Sequence, residues 1–164
     1  MSKNMFKFEK SADHAELPGG TLLRLTQEKF PALKGTALNA IHLKPGAIRE
    51  PHVHPNCAQL DYVVSGSAKV GIIGPGQEVQ IMDLEAGELS YVPQGWLHWI
   101  ENTGKSELHT LIMLTHELPE TIEFSDMLSQ IPNATLAKIF GVSESTFDAI
   151  PSETVRIGFG IRDK

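Results

Sequence analysis

The sequence of 164 residues contains a single cysteine, Cys57. One cysteine cannot form an intrachain disulfide, nor can it build a zinc site that needs several thiolates. Stability must therefore come from an apolar core, and any metal site must depend mainly on histidine. With 41% hydrophobic and 21% charged residues, the chain has the composition of a globular protein, and its length suits one domain.

Basic clusters and long apolar runs are also missing. The formal net charge is −6, and no block of the sequence is rich in Lys and Arg, so we expect no nucleic-acid partner. No stretch approaches the roughly 20 apolar residues that span a bilayer. The start, MSKNMFKFEK, lacks the apolar core of a secretory signal. We therefore expect a cytoplasmic protein with no membrane partner.

Short runs rich in Val, Ile, Leu, Thr and Tyr fill positions 21–115, separated by turn segments such as KPGA, GPGQ and NTGK. This rhythm predicts an all-β sandwich or closed barrel of about eight strands. After position 115 the pattern becomes helical, in FSDMLSQI, NATLAKIF and SESTFDAI. Each of these segments is preceded or opened by a Ser or Asn that is a candidate N-cap, and Gly141 is placed to end the second one.

Three histidines form a pattern that favours metal binding. His52 and His54 are separated by one residue, so on a strand both side chains project from the same face. The pair alone also fits an ordinary polar strand face. Further along, the string GELSYVPQGWLHWIEN adds His98 in a strand that follows a tight turn.

At these residues the sequence resembles the cupin superfamily. The second cupin motif, G-x5-P-x-G-x2-H-x3-N, is matched at every position from Gly87 to Asn102. The first, G-x5-H-x-H-x3/4-E-x6-G, is matched by Gly46, His52, His54 and Gly66. A closer resemblance, running from about Pro18 to Val142, is to one domain of bacterial oxalate decarboxylases.

The resemblance implies an all-β fold, the cupin double-stranded β-helix or jelly-roll barrel, with a C-terminal helical extension. On this basis we expect an N-terminal segment at 1–17, a barrel at 18–116, and at 117–164 a helical extension of the same domain.

The resemblance also implies a mononuclear metal site formed by His52, His54, Gln59 and His98. The carboxylate ligand of the family falls at Gln59, whose amide oxygen is neutral, so we expect a weaker hold on hard cations. Manganese is the metal that the resemblance favours, and iron, nickel or zinc also suit these donors. Asp61 should share the strand face of Gln59, so its carboxylate could alternatively approach the metal directly or through water.

Three further residues are candidates for catalysis. Arg49 resembles the arginine that oxalate decarboxylases direct at the substrate carboxylate. In a regular strand Glu50 and not Arg49 would share the histidine face, so this role requires a bulge near Pro51. Glu117 and Glu120 lie in THELPET, where the family has a mobile lid with a glutamate that acts as general acid.

Three functions remain open at the level of sequence. The first is a metal-dependent enzyme resembling oxalate decarboxylase that binds a small carboxylate or oxygenated anion. The second is a dioxygenase that uses iron held by three histidines, and the third is a cupin that binds a small molecule or sugar without catalysis. Oxalate decarboxylases carry two such domains in one chain, so by analogy we expect this chain to form a homodimer.

Overall fold

The structure is a computed structural model, and it describes residues 3–159. Two antiparallel sheets make up most of it. The strands are β1 (Asp13–Leu17), β2 (Gly20–Leu25), β3 (Ala37–Leu43), β4 (Ala47–Val53), β5 (Gln59–Ser65), β6 (Ser67–Ile73), β7 (Val79–Glu85), β8 (Leu89–Val92), β9 (Leu97–Asn102), β10 (Leu108–Leu114), β11 (Ile122–Glu123) and β12 (Ile157–Phe159). The helices are α1 (Phe8–Ser11), α2 (Phe124–Gln130) and α3 (Asn133–Phe140), with short 3₁₀ turns at Pro75–Gln77 and Glu144–Phe147.

The first sheet has the strand order β1-β2-β3-β10-β5-β8, and the second has the order β11-β4-β9-β6-β7, with β12 also paired to β4. Each pairing between these strands is antiparallel. The all-β prediction is therefore confirmed. Strands from all three predicted segments pair within the two sheets, and the division at 17 and 116 stays a prediction.

The main core lies between the two sheets because alternate strand residues face inward. Its largest fully buried apolar side chains include Ile41, Leu43, Val63, Val70, Ile72, Ile100, Leu108, Leu114 and Ile157. Burial of each such side chain contributes about 1.5–3 kcal/mol relative to exposure. Cys57 belongs to the same cluster, and burial raises the pKa of its thiol to about 11. It is a packing residue and not a reactive thiol.

Two motif residues have structural roles in turns. Gly66, between β5 and β6, has φ +89°, and a Cβ there would lie 2.9 Å from the carbonyl oxygen of Glu107. Asn102 ends β9, and its buried amide donates to the carbonyls of Leu43 (2.8 Å) and Ser106 (2.9 Å). These contacts hold the turn after β9 against the end of β3 and keep the strand that carries His98 in place.

The helical extension differs in detail from the prediction. The first two predicted helices form, whereas the third region holds only the 3₁₀ turn Glu144–Phe147. Gly141 adopts the left-handed conformation (φ 65°) at the C-cap of α3, as expected. None of the helices among residues 3–159 is long and apolar enough to cross a membrane.

The predicted serine and asparagine N-caps of the first two helices are wrong, whereas Ser143 does hold the N-cap position of the 3₁₀ turn Glu144–Phe147. Ser125 and Asn133 lie inside α2 and α3, whose N-cap positions are Glu123 and Pro132. Ser125 instead directs its hydroxyl to the buried carboxylate of Glu50, at 2.9 Å. A tertiary hydrogen bond has replaced the local cap, and it ties α2 to β4.

Candidate metal centre

Two neighbouring strands of the second sheet bring three histidines together. His52 on β4 and His98 on β9 are direct partners in the antiparallel pairing, and His54 follows just after β4. One ligand nitrogen from each ring lies within 4.8 Å of the other two. The residues are 3%, 5% and 0% exposed for His52, His54 and His98, so the group lies inside the barrel.

The backbone fixes the tautomer of all three rings. Each Nδ1 lies within hydrogen-bond distance of a carbonyl oxygen: Glu50 for His52 (2.8 Å), Glu120 for His54 (2.6 Å) and Trp96 for His98 (3.0 Å). A carbonyl can only accept, so each Nδ1 must carry the hydrogen, which leaves the Nε2 lone pair free. Such contacts orient histidine ligands in metalloproteins.

The environment keeps the rings neutral. Burial lowers the pKa of His52 well below its usual range, lowers that of His54, and lowers that of His98 to about 3. The positive charge of Arg49 acts in the same direction on all three pKa values. A neutral imidazole is the form that binds a metal ion.

Gln59 supplies a fourth donor next to these rings. It opens β5 and is 1% exposed. Its Nε2 donates to Asp61 at 2.7 Å, and its side chain lies close enough to His54 to raise the pKa of that histidine. Oε1 of Gln59 is buried and has no hydrogen-bond partner within the described part of the chain.

Asp61 orients the Gln59 amide. One of its oxygens accepts from Gln59, and the other accepts from the hydroxyl of Ser90 at 2.9 Å. Burial raises the pKa of Asp61 to about 7, while the bonds from Ser90 and Gln59 oppose that shift. Since both carboxylate oxygens are engaged, Asp61 holds Gln59 and is not positioned as a direct ligand.

The donor set fits a divalent cation. A buried polar atom without a partner costs about 1–3 kcal/mol. Among the described residues, Oε1 of Gln59 and Nε2 of His98 are two such atoms. A cation bound by both atoms and by the other two imidazoles would satisfy them together.

Arg49 lies beside the histidines but is already paired. The β4–β9 register shifts between Arg49 and His52, which is the irregularity that a pocket-facing Arg49 requires. Its guanidinium makes two hydrogen bonds to Glu123, at 2.6 and 2.9 Å, and a third to the carbonyl of Arg156 at 3.1 Å. The side chains of Arg49 and Glu123 are both buried.

A cavity of about 190 Å³ adjoins the centre and is lined in part by His52, His54 and Gln59. Its charged lining residues are three arginines and two carboxylates: Arg24, Arg49, Arg156, Glu123 and Asp126. With neutral histidines, the lining therefore carries one excess positive charge before any cation binds. Such a cavity attracts small anions.

Comparisons with known proteins agree with this arrangement. The family model described as Cupin matches residues 6–148. The chain is a cupin. The predicted jelly-roll fold and helical extension are thereby confirmed, since solved structures of Bacillus subtilis oxalate decarboxylase OxdC superpose on this cupin along its length. One of them, the mutant lacking residues 162–163, has a TM-score of 0.89 and 28% identity and covers 100% of this chain and 44% of its own.

Curated relatives include plant proteins as well as the bacterial enzyme. Germin-like protein 3-7 of Oryza sativa subsp. japonica is 29% identical over 141 residues, which is 82% of this cupin and 60% of the relative. OxdC of Bacillus subtilis is 25% identical over 138 residues, which is 84% of this cupin and 36% of the enzyme. The cupin thus spans less than two thirds of the length of either relative. Another OxdC structure, 22% identical with TM-score 0.89 over 95% of this chain and 41% of its own, is described by its Mn(II) centers.

The structure does not bring Glu117 and Glu120 to the cavity of this cupin. Among the described residues that line the cavity, Pro119 and Thr121 are present, but neither glutamate is. Glu117 accepts a hydrogen bond from the backbone of Gly35 at 3.0 Å, and Glu120 is exposed. Their catalytic role stays a prediction.

Glu123 was not predicted from the sequence, yet the structure places it at the cavity with its carboxylate on Arg49. The two residues are 74 positions apart, and no periodicity links them. The signal available was weak: Glu123 is a charged residue directly before a predicted helix, where an acidic side chain is also favoured by the helix dipole.

Proposed function

We propose that this cupin binds one divalent metal ion through Nε2 of His52, His54 and His98 and Oε1 of Gln59. The observation that carries the proposal is the buried, unpartnered Gln59 oxygen of the described structure, which Asp61 and Ser90 hold in place. Manganese is the first metal to test because a structure of the related OxdC is described by Mn(II) centers. Iron, nickel and zinc also suit these donors.

We further propose that the ligand of the metal-loaded protein is a small carboxylate, with oxalate as the reference compound. Four neutral donors would leave the charge of a divalent cation uncompensated, and the adjoining cavity already carries one excess positive charge. An anion that enters the cavity therefore gains from both charges. Oxalate oxidase and oxalate decarboxylase among the relatives support this choice.

The residues of the chain divide this task. The histidines and Gln59 hold the metal, which when bound would supply Lewis acidity and, with dioxygen, a redox partner. Both terminal nitrogens of Arg49 already donate to Glu123. Arg49 therefore acts on an anion in the cavity through its positive charge. A substrate carboxylate can bond to both terminal nitrogens along the edge that Glu123 occupies only by displacing Glu123.

One observation favours binding without turnover as the second candidate. Formation of formate from oxalate requires a proton donor at the site, whereas the side chain of Glu117 is bonded to Gly35 and that of Glu120 is exposed. Glu123, which does line the cavity, is paired with Arg49. Under this candidate the protein binds the anion and releases it unchanged.

Calorimetric titration with oxalate tests the proposal. We expect the manganese-loaded protein to bind one oxalate per metal and the metal-free protein to bind at least about tenfold more weakly, a difference of about 1.4 kcal/mol or more. Succinate, whose carboxylates are farther apart, is the matched control ligand. Equal oxalate binding with and without metal would contradict the proposal.

Product assays on the same samples separate the functions. Formate indicates a decarboxylase, and hydrogen peroxide with carbon dioxide indicates an oxidase. The absence of both sets of products supports the binding candidate.

We also propose that the chain forms a homodimer, which light scattering tests. The cytoplasmic location stays a prediction from the sequence.

A further inference from the structure

A second group of metal-binding side chain types lies away from the barrel centre. It contains Glu9 on α1, His42 on β3 and His109 on β10, and one ligand atom of each residue lies within 4.8 Å of the other two. His42 and His109 are direct partners in the antiparallel pairing of β3 with β10. Since the neighbours Ile41 and Leu43 face the core, both histidines project from the outer face of the first sheet.

The two imidazoles lie face to face. Their centroids are 4.2 Å apart and their planes differ by 18°, so they are stacked. Two imidazolium cations would repel each other at this distance. Burial, and then the neighbouring His42, lowers the pKa of His109. Nε2 of His109 is also buried without a hydrogen-bond partner in the described structure, so its bonding capacity is unused.

Carboxylates approach His42 from two sides. Oε1 of Glu107 lies 3.3 Å from Nδ1 of His42, and Oε2 of Glu9 lies 3.9 Å from its Nε2. In zinc sites a carboxylate often bonds to one ring nitrogen of a histidine ligand and so orients the other nitrogen toward the metal. Glu107 and Glu9 are placed on the two ring nitrogens of His42 in this way. Lys7 and Lys10 lie beside Glu9 along the same surface.

We propose that Glu9, His42 and His109 form a surface site for Zn²⁺, with Glu107 as the residue that positions His42. Two imidazoles and one carboxylate, with water in the fourth position, are a zinc ligand set. Zinc–ligand bonds of about 2.0–2.1 Å place tetrahedral ligands about 3.4 Å apart. The ligand atoms now lie within 4.8 Å of one another, so they must close by up to about 1.4 Å. The stacked rings must also tilt apart so that a lone pair of each ring points at the same ion. Glu9 and His42 are partly exposed, so rotation of their side chains can achieve both changes.

Zinc titration against a chromophoric competing chelator, with elemental analysis after dialysis, tests the site. The variant His42→Gln/His109→Gln should bind one zinc equivalent fewer than the wild type. Glu9→Gln, on a four-residue surface helix, should weaken that equivalent about tenfold or more while leaving the fold intact by circular dichroism. The control His116→Gln changes a histidine outside the group and should bind as the wild type does.

The barrel centre is tested separately with a fourth variant, His52→Gln/His98→Gln, which should keep the zinc equivalent of the surface site. If His42→Gln/His109→Gln binds as much zinc as the wild type with the same affinity, the surface site does not exist, whatever the barrel binds. If the wild type binds one zinc ion and His42→Gln/His109→Gln binds none, the surface site stands and the barrel proposal fails for zinc.

Discussion

Replacement of Gln59 by glutamate is expected to tighten manganese binding by about 10- to 100-fold, which corresponds to about 1.4–2.7 kcal/mol. The variant exchanges a neutral amide oxygen for an anionic one, which hard cations prefer. The gain is limited by Asp61, whose carboxyl lies 2.7 Å from the Gln59 amide nitrogen. Burial already raises the pKa of Asp61 to about 7. A protonated Asp61 can donate to the introduced carboxylate, which avoids two adjacent buried negative charges.

The control for Gln59→Glu is Gln80→Glu, which adds the same charge at an exposed position of β7. Manganese affinity is measured by calorimetry or by competition with a chelator. A gain confined to the position-59 variant supports ligation by this side chain. Dissociation constants within about twofold of the wild type for Gln59→Glu, or an equal gain in both variants, would show that the amide oxygen is not a ligand.

Loss of the carboxylate in Glu123→Ala is expected to destabilise the fold by about 3–5 kcal/mol, because removal of one partner leaves a buried charge unpaired. The side chains of Arg49 and Glu123 are 6% and 7% exposed. The remaining bond from Arg49 to the carbonyl of Arg156 cannot neutralise the guanidinium. The measurement is the free energy of unfolding from urea denaturation of metal-free protein, so that effects on metal binding do not contribute.

Two further variants make the Glu123 result specific. Glu120→Ala removes an exposed carboxylate three residues away and should change the free energy of unfolding by less than about 0.5 kcal/mol. The double variant Arg49→Met/Glu123→Leu removes both charges and should recover most of the loss, because an apolar pair of similar volume can replace a buried ion pair. A loss below about 1 kcal/mol in Glu123→Ala would mean that Arg49 is well solvated or paired elsewhere.

The histidine group was predictable because its geometry is local. A spacing of two on a strand places His52 and His54 on one face, and the second motif brings His98 to the neighbouring strand, where it pairs with His52. The irregularity between Arg49 and His52 was also predictable, because regular alternation cannot direct both side chains to one cavity. Both features follow from strand periodicity, which is visible in a sequence.

The missed features depend on contacts between distant segments. Glu123 reaches Arg49, and Ser125 reaches Glu50 across 75 positions, a bond that replaces the predicted helix cap. The short strand β12 has three residues, too few for a periodic pattern, and forms by pairing with the first residues of β4. Such contacts are decided by the packed fold and not by local propensity.

The most direct test of the metal centre is a crystal structure of the manganese-loaded protein with anomalous data collected at the manganese edge. We expect one strong peak in the barrel, about 2.0–2.4 Å from Nε2 of His52, His54 and His98 and from Oε1 of Gln59. A barrel without an anomalous peak, or a peak bonded to the histidines while Gln59 is turned away to another partner, would contradict the proposed centre.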